Sequence, residues 1–316
     1  MNRKEFVQKF FKGRAVSRPP FIPLLGSFLT KVNQVSVEEL LNDSSTLASS
    51  IVNTQQLLGY DSLTLPIDTS VECEAFGAQL RWEDKEMPAV DSQLSLSDPL
   101  DHSDFSMKGR IPILIETVNR LVKVNGKDYS VFATVTGPLT ILKNLYGEDV
   151  FSNKTEDIVD KLEVISQGLI QMIKSFGDEK VDGIIINEDL PLDVHLKDEF
   201  SQYYKPIFNV IKFYNISGIL RIPPEVTTFE KIEKLPDCLI VSTALLSNAS
   251  KIKTKGVAVD QSFWSQSTDP SELSEIWSKN NKRRLFLSTS HSLDLNLDLT
   301  ELQEKTSLLC NEATWA

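Results

Sequence analysis

The sequence predicts an α/β fold, a (β/α)8 barrel in one domain over residues 1–316. Three observations predict it. Eight short segments are apolar on both sides, and each is followed by helical material. Strands buried on both faces belong to parallel sheets covered by helices. The length suits a barrel, typically about 250 residues plus insertions. The competing open, doubly wound sheet needs a glycine-rich first turn for a dinucleotide, and here that turn offers only Gly26.

The elements follow in order. Phe6, Val7 and Phe10 share one side of a short amphipathic N-terminal extension, and Phe21–Leu25 after Pro19-Pro20 reads as the first strand. Ser36-x-x-Glu39 is a capping box opening a helix whose apolar face runs from Val37 to Leu58, with Gly59 as its stop. Ser62–Ile67 is the second strand, followed by a polar insertion near 81–108. Ile111–Val124 is helical, Tyr129–Val135 a strand, and Leu139–Tyr146 and Asp157–Phe176 are helical again. Strands are expected at Val181–Ile186, Gly218–Ile222, Cys238–Val241, Val257–Val259 and Arg284–Leu287. Helices are expected near Lys197–Tyr214, at Thr228–Lys234, after the Asp269-Pro270 cap, and at Thr300–Leu309.

Composition narrows the function. Lys plus Arg number 33 against 44 Asp plus Glu, a net charge of −11. Such a balance disfavours nonspecific nucleic-acid binding, which needs a basic face. No stretch has the roughly 18 apolar residues of a membrane span. Three cysteines without a C-x-x-C pair indicate a reducing compartment, and the N-terminus lacks a continuous apolar signal region. A cytoplasmic location is expected.

In a barrel, chemistry projects from the C-terminal ends of the strands. Those positions hold Asp68 within Asp68–Glu74, Thr136-Gly137-Pro138, Asn187-Glu188-Asp189 with His195 beyond, Arg221, Ser242-Thr243, Asp260 and Ser290-His291. Carboxylates held near apolar runs need partners or raised pKa values, which makes Asp68, Glu72 and Glu188 candidates, with His291 beside them. No H-E-x-x-H zinc helix, phosphate-binding P-loop or G-x-S-x-G elbow occurs. Three histidines exclude a histidine-rich metal cluster.

Four motifs occur in order: Arg18-Pro19-Pro20-Phe21-Ile22-Pro23, Leu58-Gly59-Tyr60-Asp61, Val71-Glu72-Cys73-Glu74-Ala75-Phe76-Gly77-Ala78 and Thr136-Gly137-Pro138-Leu139-Thr140-Ile141-Leu142. Together they resemble the uroporphyrinogen decarboxylase superfamily, in particular its cobamide-dependent methyltransferase branch. The resemblance implies a barrel whose funnel passes a methyl group between a small methylated substrate, or a thiol or folate acceptor, and the cobalt of a corrinoid carried by a partner protein. It also implies zinc as activator and the option of a homodimer.

The family's zinc ligands are not matched. Arg221-Ile222-Pro223 replaces the usual His-x-Cys, the last cysteine falls on or next to His291, and Ser242 or Thr243 replaces an acid. Arginine stays protonated and cannot ligate zinc. Any metal would need a different set, such as Glu72, Glu188, His195 and His291. Against the decarboxylase pattern, Asp68 falls on the catalytic aspartate, His291 on the histidine and Asn144 on the tyrosine. The arginines that hold a polycarboxylate are missing from Leu24–Phe28. The expected site is therefore Asp68, Glu72, Glu188 and His291 as catalytic groups, with Asn144, Arg221 and Asp260 binding substrate. The alternatives are a barrel that binds or regulates without catalysis, and a decarboxylase-like lyase.

Overall fold

A computed structural model describes residues 1–190, 198–223, 236, 238–242, 254–265, 270–279 and 285–315. Its strands are β1 (Ser62–Thr64), β2 (Leu80–Arg81), β3 (Ala89–Val90), β4 (Ser130–Thr136), β5 (Gly183–Asn187), β6 (Ser217–Arg221), β7 (Cys238–Ser242), β8 (Thr254–Val259) and β9 (Leu285–Thr289). Seven of them form one sheet in the order β1-β4-β5-β6-β7-β8-β9. Every pairing in it is parallel. Strands β4, β5 and β9 are buried along their whole length, as runs such as Gly183–Asn187 require when helices cover both faces.

The strand expected at Phe21–Leu25 is reduced to one isolated parallel bridge, Phe21 to Leu287. Proline explains the reduction. Pro20 and Pro23 have no N–H to give a ladder, so regular pairing cannot propagate through them. The segment nevertheless touches both outer strands of the sheet. Ile22 N donates to Leu287 O at 2.9 Å, Leu287 N to Pro20 O at 2.7 Å, and Asp61 N, just before β1, to Phe21 O at 3.0 Å. Asp61, fully buried, receives both Arg18 guanidinium nitrogens at 2.7 Å and the Phe21 N–H at 2.8 Å.

Helices fall close to where periodicity placed them. The N-terminal helix Arg3–Phe11 buries Phe6, Val7 and Phe10. The long helix expected after Ser36 is instead two. Ser36 caps Val37–Asn42, and Asp43 then accepts Thr46 N at 2.7 Å and starts Ser44–Leu58, which ends at Gly59 with φ +79. Asp43 is a strong N-cap residue, and that local bond breaks the apolar run. Helices Ile111–Asn125, Pro138–Tyr146, Thr155–Asp178, Tyr204–Phe213, Ser271–Lys279 and Leu299–Cys310 follow. The polar insertion carries the antiparallel pair β2–β3 and a 3-10 turn, Phe105–Met107. Phe105 is fully buried against Phe76, with ring centroids 4.5 Å apart. The helix expected at Thr228–Lys234 lies outside the described residues.

Candidate active site

The register sets one row of polar residues across the sheet. Thr136 on β4 pairs with Asn187 on β5, and Asn187 with Arg221 on β6. All three end their strands, where a parallel α/β sheet exposes its reactive groups.

Thr136 meets Glu72, which sits on the short helix Val71–Ala75 and is 1% exposed. Glu72 accepts the Thr136 N–H at 2.8 Å and the Thr136 hydroxyl at 2.7 Å. Removal from water pushes its pKa up to about 7; the Thr136 bonds act against that, and the nearby Asp68 adds to it. The carboxyl is thus poised to exchange a proton near neutrality.

Glu188 is fully buried directly after β5. Its Oε1 accepts Leu139 N at 3.2 Å and the Tyr204 hydroxyl; its Oε2 accepts Thr140 N at 2.9 Å and the Thr140 hydroxyl at 2.5 Å. The donors Leu139 N and Thr140 N open helix Pro138–Tyr146, so the carboxylate occupies the positive end of that helix. Burial raises its pKa while the hydroxyl and backbone donors oppose the rise. Gly137 makes the cradle. A Cβ there would lie 2.1 Å from Glu188 Cδ.

Arg221 is 4% exposed. One guanidinium nitrogen donates to Asn187 Oδ1 at 2.6 Å and Asp189 Oδ1 at 3.2 Å, and the other donates to the Ser290 carbonyl. These bonds use three of the five guanidinium N–H groups. A cavity of about 130 Å³ lies beside them, lined by Arg221, Asn187, Asp189, His291, Ser292, Leu24 and Ile67. His291 is exposed, and its Nδ1 lies 3.2 Å from Ser290 Oγ. Asp260, also exposed, accepts Ser262 N at 2.8 Å; hydrogen bonding from the Ser262 side chain and then from its N–H, and least the nearby His291, lowers its pKa.

Two expected residues are engaged elsewhere. Asp68 is bound through one oxygen by Arg110 and through the other by Ser70 N at 3.0 Å and Ser70 Oγ at 2.6 Å. Arg110 also holds Glu74 at 2.8 Å and lies over the Trp82 ring at 4.9 Å. Asn144 is half-buried and donates to Thr69 O at 3.2 Å. His195 and Thr243 lie outside the described residues. Sequence reasoning missed Arg110 and Tyr204. The signal for Arg110 is a cation at the start of helix Ile111–Asn125, an unfavourable position unless acids compensate it. For Tyr204, burial against a carboxylate leaves no pattern in a linear sequence.

Among the described residues, no group of three or more His, Cys, Asp or Glu side chains is arranged to hold a metal ion. Arg221 fills the place of the expected ligand pair with a cation, and Glu188 has its oxygens committed to four donors. The described residues do not fit the family's zinc.

A sequence profile described as uroporphyrinogen decarboxylase (URO-D) matches residues 2–212. The chain belongs to the uroporphyrinogen decarboxylase family. Within that family, this URO-D chain is similar to the methylcobamide:CoM methyltransferase MtbA of Methanosarcina acetivorans, 22% identical over 192 residues and 57% of each chain. The MtbA of Methanosarcina mazei is 26% identical over 178 residues, 52% of each chain. The URO-D chain thus spans little more than half the length of the curated relatives it matches. A solved methyltransferase from Methanosarcina mazei superimposes with a TM-score of 0.82 at 16% identity, covering 98% of this chain and all of that one. A B12-independent methionine synthase from a Shewanella species gives 0.59 at 14% identity, covering 92% and 95%. These two likenesses bear on the fold alone, and agree with an α/β chain built on a parallel sheet. No described helix is long and apolar enough to cross a membrane.

Proposed function

We propose that this URO-D chain is a methyltransferase component that moves a methyl group between a small anionic substrate and a corrinoid on a separate protein. The observation that carries the reading is the Arg221 cavity. It joins a nearly buried guanidinium, with donors left over among the described residues, to a volume of about 130 Å³. That is below the roughly 300–1,000 Å³ of sites for drug-sized ligands. Among the described residues Arg221 is the one permanent cation lining the cavity, too little positive charge for a tetrapyrrole with many carboxylates. A small carboxylate or sulfonate fits, because the planar fork binds such groups through two parallel bonds. The names of the curated relatives, which pair methylcobamide with CoM, point the same way.

A corrin ring does not enter a cavity of this size, so the corrinoid would stay on its partner and meet the rim of the strand ends. It would supply cobalt as methyl carrier. The chain's own part is positioning and proton handling. Methyl transfer is an in-line displacement, and most of its acceleration comes from alignment. Arg221 would fix the anionic tail, with Asn187 and Asp189 fixing Arg221 in turn. Glu188 and Tyr204 hold the β5 end in place, which makes them positioning residues. Glu72 would hold or take the proton of the attacking or leaving heteroatom. Within this reading the barrel is closed, residues 20–25 serving as its irregular eighth strand.

The test is methyl exchange between free methylcobamide and small thiols with and without an acidic tail. Arg221→Gln is expected to raise KM for the acidic thiol about 100-fold, the value of a charge-assisted pair, while changing KM for the neutral one little. If no thiol, folate or methylated small molecule exchanges a methyl group, the enzymatic reading fails. The loss of the zinc ligands at Arg221–Pro223 would then favour a binding or regulatory barrel.

Glu72 gives a pH prediction. Its folded pKa of about 7 exceeds the ordinary 4.5, so the folded chain binds the proton more tightly than the unfolded one. Its contribution to stability is greatest below 4.5 and falls as pH rises to about 7, by about 3 kcal/mol in total. Glu72→Gln should therefore raise the Tm at pH 8 and leave it nearly unchanged at pH 5. Thermal unfolding at the two pH values checks this; equal shifts at both would contradict it.

A further inference from the structure

The larger opening lies at the other end of the strands. A groove of about 910 Å³ runs under the sheet, walled by the starts of β4, β6 and β7 and by the N-terminal helix Arg3–Phe11. The C-terminal ends of helices Thr155–Asp178 and Tyr204–Phe213 complete it. Three lysines line it: Lys12, Lys180 and Lys212, all exposed. The ammonium groups of Lys12 and Lys180 have no hydrogen-bond or ion-pair partner among the described residues. The acid in the lining, Asp182, is already balanced by Lys4 at 3.1 Å, Gln8 at 2.9 Å and Val131 N at 3.0 Å. A chain of net charge −11 thus presents a local excess of positive charge here.

A second observation is independent of the lysines. Ser130, at the start of β4, lines the groove, is fully buried, and has an Oγ without a hydrogen-bond partner among the described residues. Buried hydroxyls are normally paired, so an orphan in the wall of an open groove points to a ligand atom that would pair with it. The rim is also shaped for more than packing. Lys180 and Asn215 end their helices in the left-handed conformation, φ +65 and +56, where glycine is usual. Polar side chains therefore stand at both helix ends facing the groove.

We infer that this groove binds a small organic phosphate. Lysines are compact point charges suited to phosphate. Val7, Phe11 and Ile216 offer an apolar surface for the rest of the molecule, and the volume falls within the range for small-ligand sites. The groove opens at the strand starts, away from Arg221, so its occupant is not the group undergoing methyl transfer.

The test is calorimetric titration of the full chain with phenyl phosphate, with phenol and inorganic phosphate as the two half-probes. Saturable binding is expected for phenyl phosphate, tighter than for either half and weakened by salt. The double variant Lys12→Gln/Lys180→Gln, altered only at exposed positions, should bind at least 10-fold more weakly with an unchanged Tm, and Ser130→Ala several-fold more weakly. Arg221→Gln should leave the affinity unaltered. Absence of saturable binding overturns the inference. So does affinity indifferent to the lysine pair, or affinity lost with Arg221→Gln, which would move the ligand to the other cavity.

Discussion

Asp61→Ala is expected to cost about 3–5 kcal/mol of folding stability, the range for removing one partner of a buried ion pair. The carboxylate is fully buried and receives both Arg18 nitrogens and the Phe21 N–H. Its loss strands the guanidinium of Arg18, a residue 9% exposed, and frees the backbone donor of Phe21. Asp61→Asn retains an acceptor for Phe21 N but not the charge, so an intermediate loss is expected. Urea unfolding of the three proteins measures the series. A loss below about 1 kcal/mol for Asp61→Ala, the range of an exposed pair, would show that Asp61 does not fasten residues 18–22 to the sheet.

Gly137→Ala is the second large effect. The backbone of Gly137 lies at φ −74 and ψ 154, which any residue adopts, so conformational freedom is not the reason for glycine. Space is. The new methyl would sit 2.1 Å from both Cδ and Oε1 of Glu188. Glu188, fully buried, must then move off the four donors it accepts from. A destabilisation of about 3 kcal/mol is expected from overpacking together with lost buried hydrogen bonds. Activity should fall at least tenfold, because Asn187 and Asp189 flank the displaced residue and hold Arg221. Glu188→Ala removes the obstacle, so the double variant should be no less stable than Glu188→Ala alone. Additive losses would show that the two residues are not coupled.

Much of the sheet was legible because buried parallel strands announce themselves as apolar runs. Val181–Ile186 and Gly218–Ile222 were expected where β5 and β6 occur, displaced by a residue or two. Phe21–Leu25 has the same apolar character, yet Pro20 and Pro23 deny it a ladder. Hydrophobicity reports burial but not the supply of N–H donors. The strand-end rule also located Glu188 directly after β5 and Arg221 at the end of β6. It did not show that Glu188 is consumed in holding a helix, because its partners Leu139, Thr140 and Tyr204 come from elsewhere in the chain. Nor did it show that Asp68 faces Arg110, 42 positions away. Sequence spacing lists the groups at the mouth of a sheet; the partners that decide whether each one is spare for chemistry come from distant segments.

The Ser288 hydroxyl donates to the Ile22 carbonyl across 266 positions of the chain. A chain made from its N-terminus holds the Phe21 segment without its β9 neighbour until all the residues between them have been synthesised. Closing so long a loop is slow, since its entropic cost precedes the contacts that repay it. Newly made molecules should therefore linger with one raw flank, and that interval, more than the finished fold, sets their need for chaperones and their tendency to aggregate.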